Sequence, residues 1–302
     1  MKYLLLPHLR IINANAWSST STIGFPAMTA WLGAVHALQR KINEKENLST
    51  IHFSQVGIVS HTCHLQVHKI YGEGAYALSA TANPLQKKKK KKTAEDFARP
   101  SFIPEPRIHL TVSLLIQCEG LQGNQEECFL QDVETILPSL KMASGDLLDY
   151  QQPEILYASE DEEESQKKVL YRLMPGYVLI ERRDLLEAEM KQGKDGLDAL
   201  LSYLSIYHKA ETQDGKVLSW SSERKIPGWL VPIGVGFQGI SKLGKVENQR
   251  DRTKLHQFAE NVVTLGEFKM PYRLDSIDEM MWRYEYDETN QLYLCKNEKK
   301  EK

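Results

Sequence analysis

The sequence predicts an α+β fold in which strands and helices follow the order β-α-β-β-α-β over residues 1–150. Apolar residues recur every three or four positions from Met28 to Ile42 and from Phe129 to Leu140, which is the spacing of amphipathic helices. Residues 108–116 alternate between apolar and polar instead, as a strand with one buried face does. This order of elements is that of the ferredoxin-like or RRM-type plait, whose open sheet often holds single-stranded RNA.

The remaining strands of the plait rest on shorter patterns. Residues 3–12 predict the first strand, and residues 141–148 predict the last. Between Val56 and Val67 the alternation changes phase near His61, so one or two strands with a bulge or bend are expected there. The polar side chains that alternate along residues 108–117 are expected to form an open face that can meet RNA.

Two stretches do not fit a compact plait. Residues 71–106 hold six consecutive lysines, Lys87 to Lys92, and an insertion of this length is usually functional or disordered. Asp161 to Glu164 is an acidic run typical of a solvated linker. We expect an RRM-like body over 1–150 with a thumb inserted at about 71–106, and a C-terminal α/β elaboration over 151–302 that packs on the body.

The C-terminal half mixes helical and extended patterns. A strand is expected at residues 177–180, between two predicted helices. Apolar spacing predicts helices over residues 166–173, 183–192, 197–207, 255–264 and 276–284.

Composition limits where a partner can bind. The chain has 302 residues with 38 basic and 40 acidic side chains, a formal net charge of -2, so any nucleic-acid site must be local. The four cysteines form no C-x-x-C pair, which argues against a zinc ribbon or a thiol-redox site and fits reduced thiols. The apolar run before Pro7 is too short for a signal peptide, and no stretch is long enough to span a membrane. We therefore expect a cytoplasmic protein without membrane contact.

Two clusters resemble a metal site and a phosphate-binding loop, but their spacing does not match either kind of site. His61, Cys63, His64 and His68 resemble metal ligands, but on a strand His64 and His68 lie about 13 Å apart, so no metal site is expected. Glycines at positions 234, 236 and 239 are either a strand-to-loop bend or a loop that approaches RNA phosphates. Neither P-loop nor dinucleotide spacing accompanies them, and we expect no cofactor.

Two polar segments are candidate nucleic-acid contacts. The lysine run would extend roughly 20 Å, enough to span several phosphates of RNA or DNA, unless it is only a basic loop that scans or adds solubility. Around Asp251, Arg250 and Arg252 can clamp phosphates and Asn248 can read a base edge, although the same residues also suit an ordinary surface loop.

Several ordered motifs carry a family resemblance. Near the start they are Leu4-Leu-Leu-Pro7, Ile12-Asn-Ala-Asn-Ala16, Gly24-Phe-Pro26 and Val35-His-Ala-Leu-Gln-Arg40. Near the end they are Pro227-Gly-Trp-Leu-Val-Pro232, Asn248 to Arg252, Phe258-Ala-Glu-Asn261 and Leu265-Gly-Glu267. In order and spacing these motifs resemble the Csy-two family, the Cas-five type subunit of type I-F CRISPR surveillance complexes.

The resemblance implies a function without catalysis. Members bind the 5-prime handle of the guide RNA (crRNA), form a heterodimer with the large subunit and contact the adjacent backbone subunit; contact with target DNA near the PAM is left open. By position, Asn83, Pro84 and Leu85 would lie in a thumb beside a displaced base. Residues expected to line the handle are Asn13, Asn15, Gln39, Arg40, Arg250 and Arg252. The lysine run, from which Lys87, Lys88 and Lys89 are taken as contacts, has no counterpart in the family pattern.

Two other functions stay open at this point. Relatives in the broader Cas-five group cut RNA, so an endoribonuclease that matures the guide precursor is the alternative, with His36 or His61 as base. A protein scaffold whose charges never meet RNA is the third. The expected function remains a non-catalytic crRNA-binding subunit of the type I-F interference complex in antiviral defence.

Overall fold

In the part that the structure describes, the N-terminal half is built on three long strands and two helices. A computed structural model describes residues 1–72, 74–81, 86–87, 97–98, 105–159, 162–213, 216–249 and 251–297. The elements are β1 (Lys2–Asn15), α1 (Met28–Ile42), β2 (His52–Leu65), β3 (Val67–Lys69), β4 (Tyr76–Leu78), β5 (Ala80–Thr81), β6 (Gln86–Lys87), β7 (Phe97–Ala98), β8 (Glu105–Glu119), α2 (Glu126–Ile136), β9 (Lys141–Met142) and β10 (Gly145–Asp149).

The C-terminal half adds more strands and three helices. They are β11 (Glu154–Tyr157), α3 (Glu163–Arg172), β12 (Tyr177–Glu181), α4 (Arg183–Met190), α5 (Gly196–Leu204), β13 (Ile206–Gln213), β14 (Lys216–Arg224), β15 (Trp229–Gly239), β16 (Ala259–Lys269), β17 (Met281–Asp287) and β18 (Leu292–Lys296). The α+β class that the sequence predicts is therefore confirmed. None of the helices that the structure describes is long and apolar enough to span a membrane.

The body of the fold is an antiparallel sheet whose strands lie in the order β10-β1-β8-β2. Helix α1 has the predicted bounds and buries Trp31 and Leu38 completely against this sheet, because its apolar residues share one face. Helix α2 buries Phe129 and Val133 beside it. The predicted bulge near His61 is confirmed, since the β2–β8 register shifts between Ser60 and Thr62.

The C-terminal strands continue this sheet and close part of it into a ring. Strand β2 pairs with β8 along one edge, and along its other edge it pairs first with β17 and then with β12. The path β12-β16-β15-β18-β17 joins those two neighbours, so six strands form a closed circuit. Inside it, the buried Trp282 of β17 donates its indole N–H to the carbonyl of Leu179 on β12, at 2.9 Å.

Two helices predicted in this region are wrong. Residues 259–269 form β16, and of residues 276–284 only Ile277–Met280 make a short 3-10 turn before β17 begins. Pairing with β15 and with β2 decides both segments, because strand formation depends on packing against neighbouring strands more than on local spacing. Helix α5 also ends at Leu204, and β13 replaces the end of the helix predicted over 197–207.

The polar face predicted for β8 is most open at the end that holds His109. A second core covers the other end, where Tyr3, Leu5, Val59 and Leu115 are buried. The residues that cover them are Val169, Leu170, Leu173, Ile277, Met280 and Met281. Polar side chains of β8 stay partly exposed around His109 and Thr111, and Gln117 stays partly exposed at the covered end.

Candidate nucleic-acid interface

Strand β1 is interrupted twice where it pairs with β8. The register shifts between Leu6 and Leu9 and again between Ile11 and Ala14, and His8 and Asn13 lie in these gaps with positive φ of 49° and 54°. Asparagine tolerates this backbone region better than most residues. Bulges of this kind re-aim side chains, and the second one exposes Asn13 at the end of the sheet next to the insertion.

The polar end of the sheet is organised around Asn13. Its backbone N–H donates to Nδ1 of His109 at 3.1 Å, and its carbonyl accepts from Arg107 Nη1 at 3.2 Å. Arg107 also donates to Glu105 at 2.6 Å. His64 on β2 lies directly opposite His109. The backbone of Asn13 is thus fixed, while its exposed amide side chain has no hydrogen-bond partner among the described residues.

Asn15 lies at the same end of the sheet, but its side chain caps a turn of the backbone next to it. Its Oδ1 accepts the backbone N–H of Trp17 at 2.8 Å, a turn that ends β1. Its backbone N–H donates to Ala143 at 2.9 Å, which ties β1 to the β9–β10 turn. Asn13 and Asn15 therefore lie at the same end of the sheet, and Asn15 is the more constrained of the two.

The centre of the same sheet face is closed by histidines. His8 and His61 stack with ring centroids 4.1 Å apart, and Ser113 Oγ accepts the backbone N–H of His8 at 3.0 Å. His61 Nε2 lies 2.6 Å from Ser113 Oγ, and its Nδ1 donates to the carbonyl of Pro175. Burial lowers the pKa of His61, outweighing the carbonyl contact, and His8 lowers it further. Both ring nitrogens of His61 are therefore engaged, Nδ1 by the Pro175 carbonyl and Nε2 by Ser113 Oγ.

Gln39 and Arg40 do not join Asn13 and Asn15. Both belong to the last turns of α1, and Gln39 Oε1 accepts the backbone N–H of Phe53 at 2.7 Å, while Arg40 is exposed. Phe53 pairs with Cys118 at one end of β8, whereas Asn15 pairs with Arg107 at the other. Those β8 positions are eleven residues apart, which is roughly 35 Å along the strand.

The glycines of β15 have a packing role, which disfavours the RNA contacts predicted for Gly234 and Gly236. Gly234 and Gly236 are buried on both sides of a bulge. A Cβ on Gly234 would lie 2.2 Å from the Ser18 carbonyl, and its N–H donates to Ser18 Oγ at 2.8 Å. A Cβ on Gly236 would lie 2.0 Å from the Tyr293 carbonyl. No backbone surface is left at these two residues for a phosphate.

The loop between β15 and β16 presents Asn248 and Arg252 to solvent. Asn248 is exposed with φ of 62°, and Arg252 is exposed. Gln249 fixes the loop from inside, because its amide accepts from Val246 N–H at 2.8 Å and donates to the carbonyls of Asp251 and Lys254. The contacts with Thr253 lower the pKa of Asp251, so its carboxylate stays charged beside Arg252.

Several predicted contacts lie outside the described residues. These are Asn83, Pro84, Leu85, Lys88, Lys89 and Arg250. The backbone of Lys87 is described, in the β6–β7 pair. In the described part of the chain no group of three or more His, Cys, Asp or Glu side chains is placed to hold a metal ion.

The sequence prediction missed an aromatic surface on β17 and its neighbours. Trp282, Tyr284 and Tyr286 occupy alternate positions of β17, and Tyr293 of β18 stacks on Tyr284 with centroids 5.0 Å apart. An aromatic residue at every second position is a strand signal, and it was overlooked because residues 276–284 also fit helical spacing.

The structure defines an α+β protein with polar and aromatic surfaces on a long antiparallel sheet. A family model described as CRISPR-associated protein (Cas_Csy2) matches residues 4–295. The protein named CRISPR-associated protein Csy2 from Pseudomonas aeruginosa (strain UCBPP-PA14) is 32% identical over 317 residues, which cover 96% of this chain and 93% of that protein. The chain belongs to the Csy2 family of type I-F CRISPR systems, and this membership supports a role in CRISPR interference.

Proposed function

We propose that this protein is a non-catalytic crRNA-binding subunit of the type I-F interference complex, which holds the 5-prime handle of the guide RNA. The observation that carries the proposal is the family match, which runs through nearly the whole chain and not through one motif. Such a subunit positions the guide, while base pairing by the guide reads the target.

The body of the fold is assigned to the RRM-type plait. The antiparallel order β10-β1-β8-β2, with α1 and α2 as the two crossing helices, supports this assignment. The division at residue 150 is part of the same proposal. Pairing of β12 and β17 with β2 supports a C-terminal elaboration that packs on the body.

The surface proposed to meet the handle is the end of the sheet at Asn13. The bulge exposes its amide, His109 and His64 extend the polar surface, and the insertion begins beside them. Unpaired bases offer their hydrogen-bonding edges to such side chains, and phosphate contacts fix the register. Arg252 and Asn248 are proposed as further contacts from the loop between β15 and β16.

The absence of catalysis belongs to the proposal as well. A general base needs a ring nitrogen free to take a proton from the nucleophile. His61 has Nδ1 on the Pro175 carbonyl and Nε2 on Ser113, which supports a structural role for this histidine. His36 remains the histidine to test. The proposed partners are the large subunit and the adjacent backbone subunit, in the cytoplasm, and contact with target DNA near the PAM stays open.

A binding assay tests the function directly. The full chain and labelled RNA with the repeat-derived 5-prime handle are mixed at physiological salt, and retention is measured by filter binding. Replacing Arg250 and Arg252 together with alanine should weaken binding and lower the salt slope by about 1.4, at roughly 0.7 per single-strand phosphate contact. Arg224→Ala, on an exposed hairpin strand, is the matched control and should bind as the parent does. Unchanged affinity of the double variant would remove the loop from the site.

The same material separates the other two functions. RNA recovered from the bound fraction is run on a denaturing gel, and intact RNA supports the proposal. Cleavage that disappears in His36→Ala would establish the endoribonuclease instead. Ultraviolet crosslinking of guide RNA in the assembled complex addresses the scaffold, because a pure scaffold forms the heterodimer with the large subunit yet yields no crosslink.

A further inference from the structure

A groove of about 240 Å³ lies between α1 and strands β2, β17 and β18. Leu32 and Val35 of α1 and Trp282 of β17 form its apolar floor. Its rim is lined by Tyr284 and Tyr293. It lies at the Phe53 end of the sheet, and it is therefore distinct from the surface at Asn13.

The aromatic wall of the groove continues onto the open sheet. Tyr286, Tyr293 and Phe237 are paired across β17, β18 and β15, so their rings lie in one row on one face. They are 60%, 38% and 39% exposed, whereas Trp282 on the same face of β17 is fully buried. Helix α1 therefore covers only the start of an aromatic surface and leaves the rest accessible.

The two rings at the rim form one platform. Tyr284 and Tyr293 stack at 5.0 Å with planes 30° apart, and a Cβ on Gly33 of α1 would lie 4.0 Å from the Tyr284 hydroxyl. The platform thus reaches from β18 to the helix. Burial, with Tyr293 nearby, raises the pKa of Tyr284, so this phenol stays neutral at physiological pH.

The opposite wall of the groove is polar. Ser54 Oγ is buried there and has no hydrogen-bond partner within the part of the chain that the structure describes. Buried hydroxyls nearly always find a partner, so this one is available to a water molecule or to a polar group of a ligand. His36 and Gln55 line the same space, and Gln39 is held in place by the backbone of Phe53. Among the described residues that line the groove, none is acidic.

We propose that the groove is a subsite for one unpaired base of single-stranded RNA. The base stacks on the Tyr284–Tyr293 platform, Ser54 and Gln55 hydrogen-bond its edge, and Tyr286 and Phe237 support a neighbouring nucleotide. The combination of aromatic faces with a few edge-reading polar groups is how unpaired bases are recognised. This subsite rests on the proposed RNA-binding function and names a place where the RNA is held.

The chemistry of the walls favours RNA over a peptide. Aromatic grooves also bind proline-rich peptides in the PPII conformation. The one tryptophan of this groove spends its indole N–H on the Leu179 carbonyl, so that donor is not offered to a peptide carbonyl. Because no carboxylate lines the walls among the described residues, they do not repel a polyanion.

The test measures the full chain against handle RNA by fluorescence anisotropy. Tyr293→Ala should weaken binding about 5- to 150-fold, the loss expected for one stacked base. Tyr293→Phe keeps the ring and should bind as the parent does. Ser54→Ala should weaken binding about two- to tenfold, the loss of one hydrogen bond. Tyr171→Ala, which removes an exposed tyrosine from α3, is the control and should change nothing. Circular dichroism confirms that each variant is folded.

An abasic scan of the RNA identifies the base in the groove. At one position, removal of the base should weaken binding to the parent and cost nothing further in Tyr293→Ala, because the same contact is lost once only. If the parent binds and no position shows this coupling, the subsite is wrong while the proposed function stands. If the parent fails to bind, the proposed function itself fails. If Tyr293→Ala binds RNA normally but loses the large subunit in a pull-down, the groove holds a protein segment instead.

Discussion

Removing the buried indole of Trp282 should destabilise the whole fold, because this residue connects β17 to β12, the two strands that pair with the same edge of β2. Its side chain is fully buried in the main core, its backbone pairs with Val56 of β2, and its N–H bonds to Leu179 of β12 at 2.9 Å. Trp282→Ala removes the ring and leaves a cavity, which should lower the free energy of unfolding by about 3–5 kcal/mol. Trp282→Phe keeps most of the packing and loses the donor, so about 1–3 kcal/mol is expected.

Urea unfolding of the full chain, followed by circular dichroism, measures both values. Trp220→Ala is the matched control, since that indole is 67% exposed on β14, and its removal should change stability by less than about 0.5 kcal/mol. A Trp282→Ala variant no less stable than the Trp220→Ala control would refute the view that the closure depends on this side chain. A phenylalanine variant as unstable as the alanine variant would assign the effect to the hydrogen bond alone.

Three further outcomes are expected. Gly236→Ala should lower the free energy of unfolding by at least about 1–3 kcal/mol, because its Cβ would lie 2.0 Å from the Tyr293 carbonyl. Gly74→Ala is the control in the same urea titration and should have little effect, because no atom lies within 4 Å of the added Cβ. Burial lowers the pKa of His61 below 6.5, so the contribution of neutral His61 to the free energy of unfolding is fully present above pH 6.5. This contribution is lost as the pH falls below 6.5, because the unfolded chain takes up a proton that the folded chain does not. His61→Gln should therefore reduce the pH dependence of the free energy of unfolding between pH 7.5 and 5. Deleting Lys87 to Lys92 should lower the salt slope of RNA binding by about 2 if three of these lysines contact phosphates, and an unchanged slope would show that they do not.

The elements that the sequence predicted well are those whose pattern is local. Helix α1 presents its apolar residues at a regular spacing and has bounds identical to the predicted ones. The bulge near His61 was visible as a change of phase in the alternation. Both features depend on neighbours within a turn or a few strand positions, and such neighbours can be read from the chain itself.

The features that were missed depend on distant pairing. Helical spacing was assigned to residues 255–264, and pairing with β15 selects a strand over residues 259–269 instead. The candidate site shows the same limit. Gln39 and Asn13 were assigned to one surface, but the local sequence does not show that helix α1 places Gln39 near the opposite end of the sheet from Asn13. Gly234 and Gly236 were predicted to let an RNA phosphate come close, but the groups that lie close to them are the backbone carbonyls of Ser18 and Tyr293.

The closed circuit of strands bears on how this protein can associate with others. An open sheet offers unpaired N–H and C=O groups along its border, and a second chain can add a strand there. Both borders of β2 are occupied within the described residues, and β1 is flanked by β8 on one side and by the short β10 and β11 on the other. Main-chain recruitment of another subunit is therefore disfavoured along β1 and β2. Mutations that open the circuit should therefore promote aggregation before they abolish any specific contact.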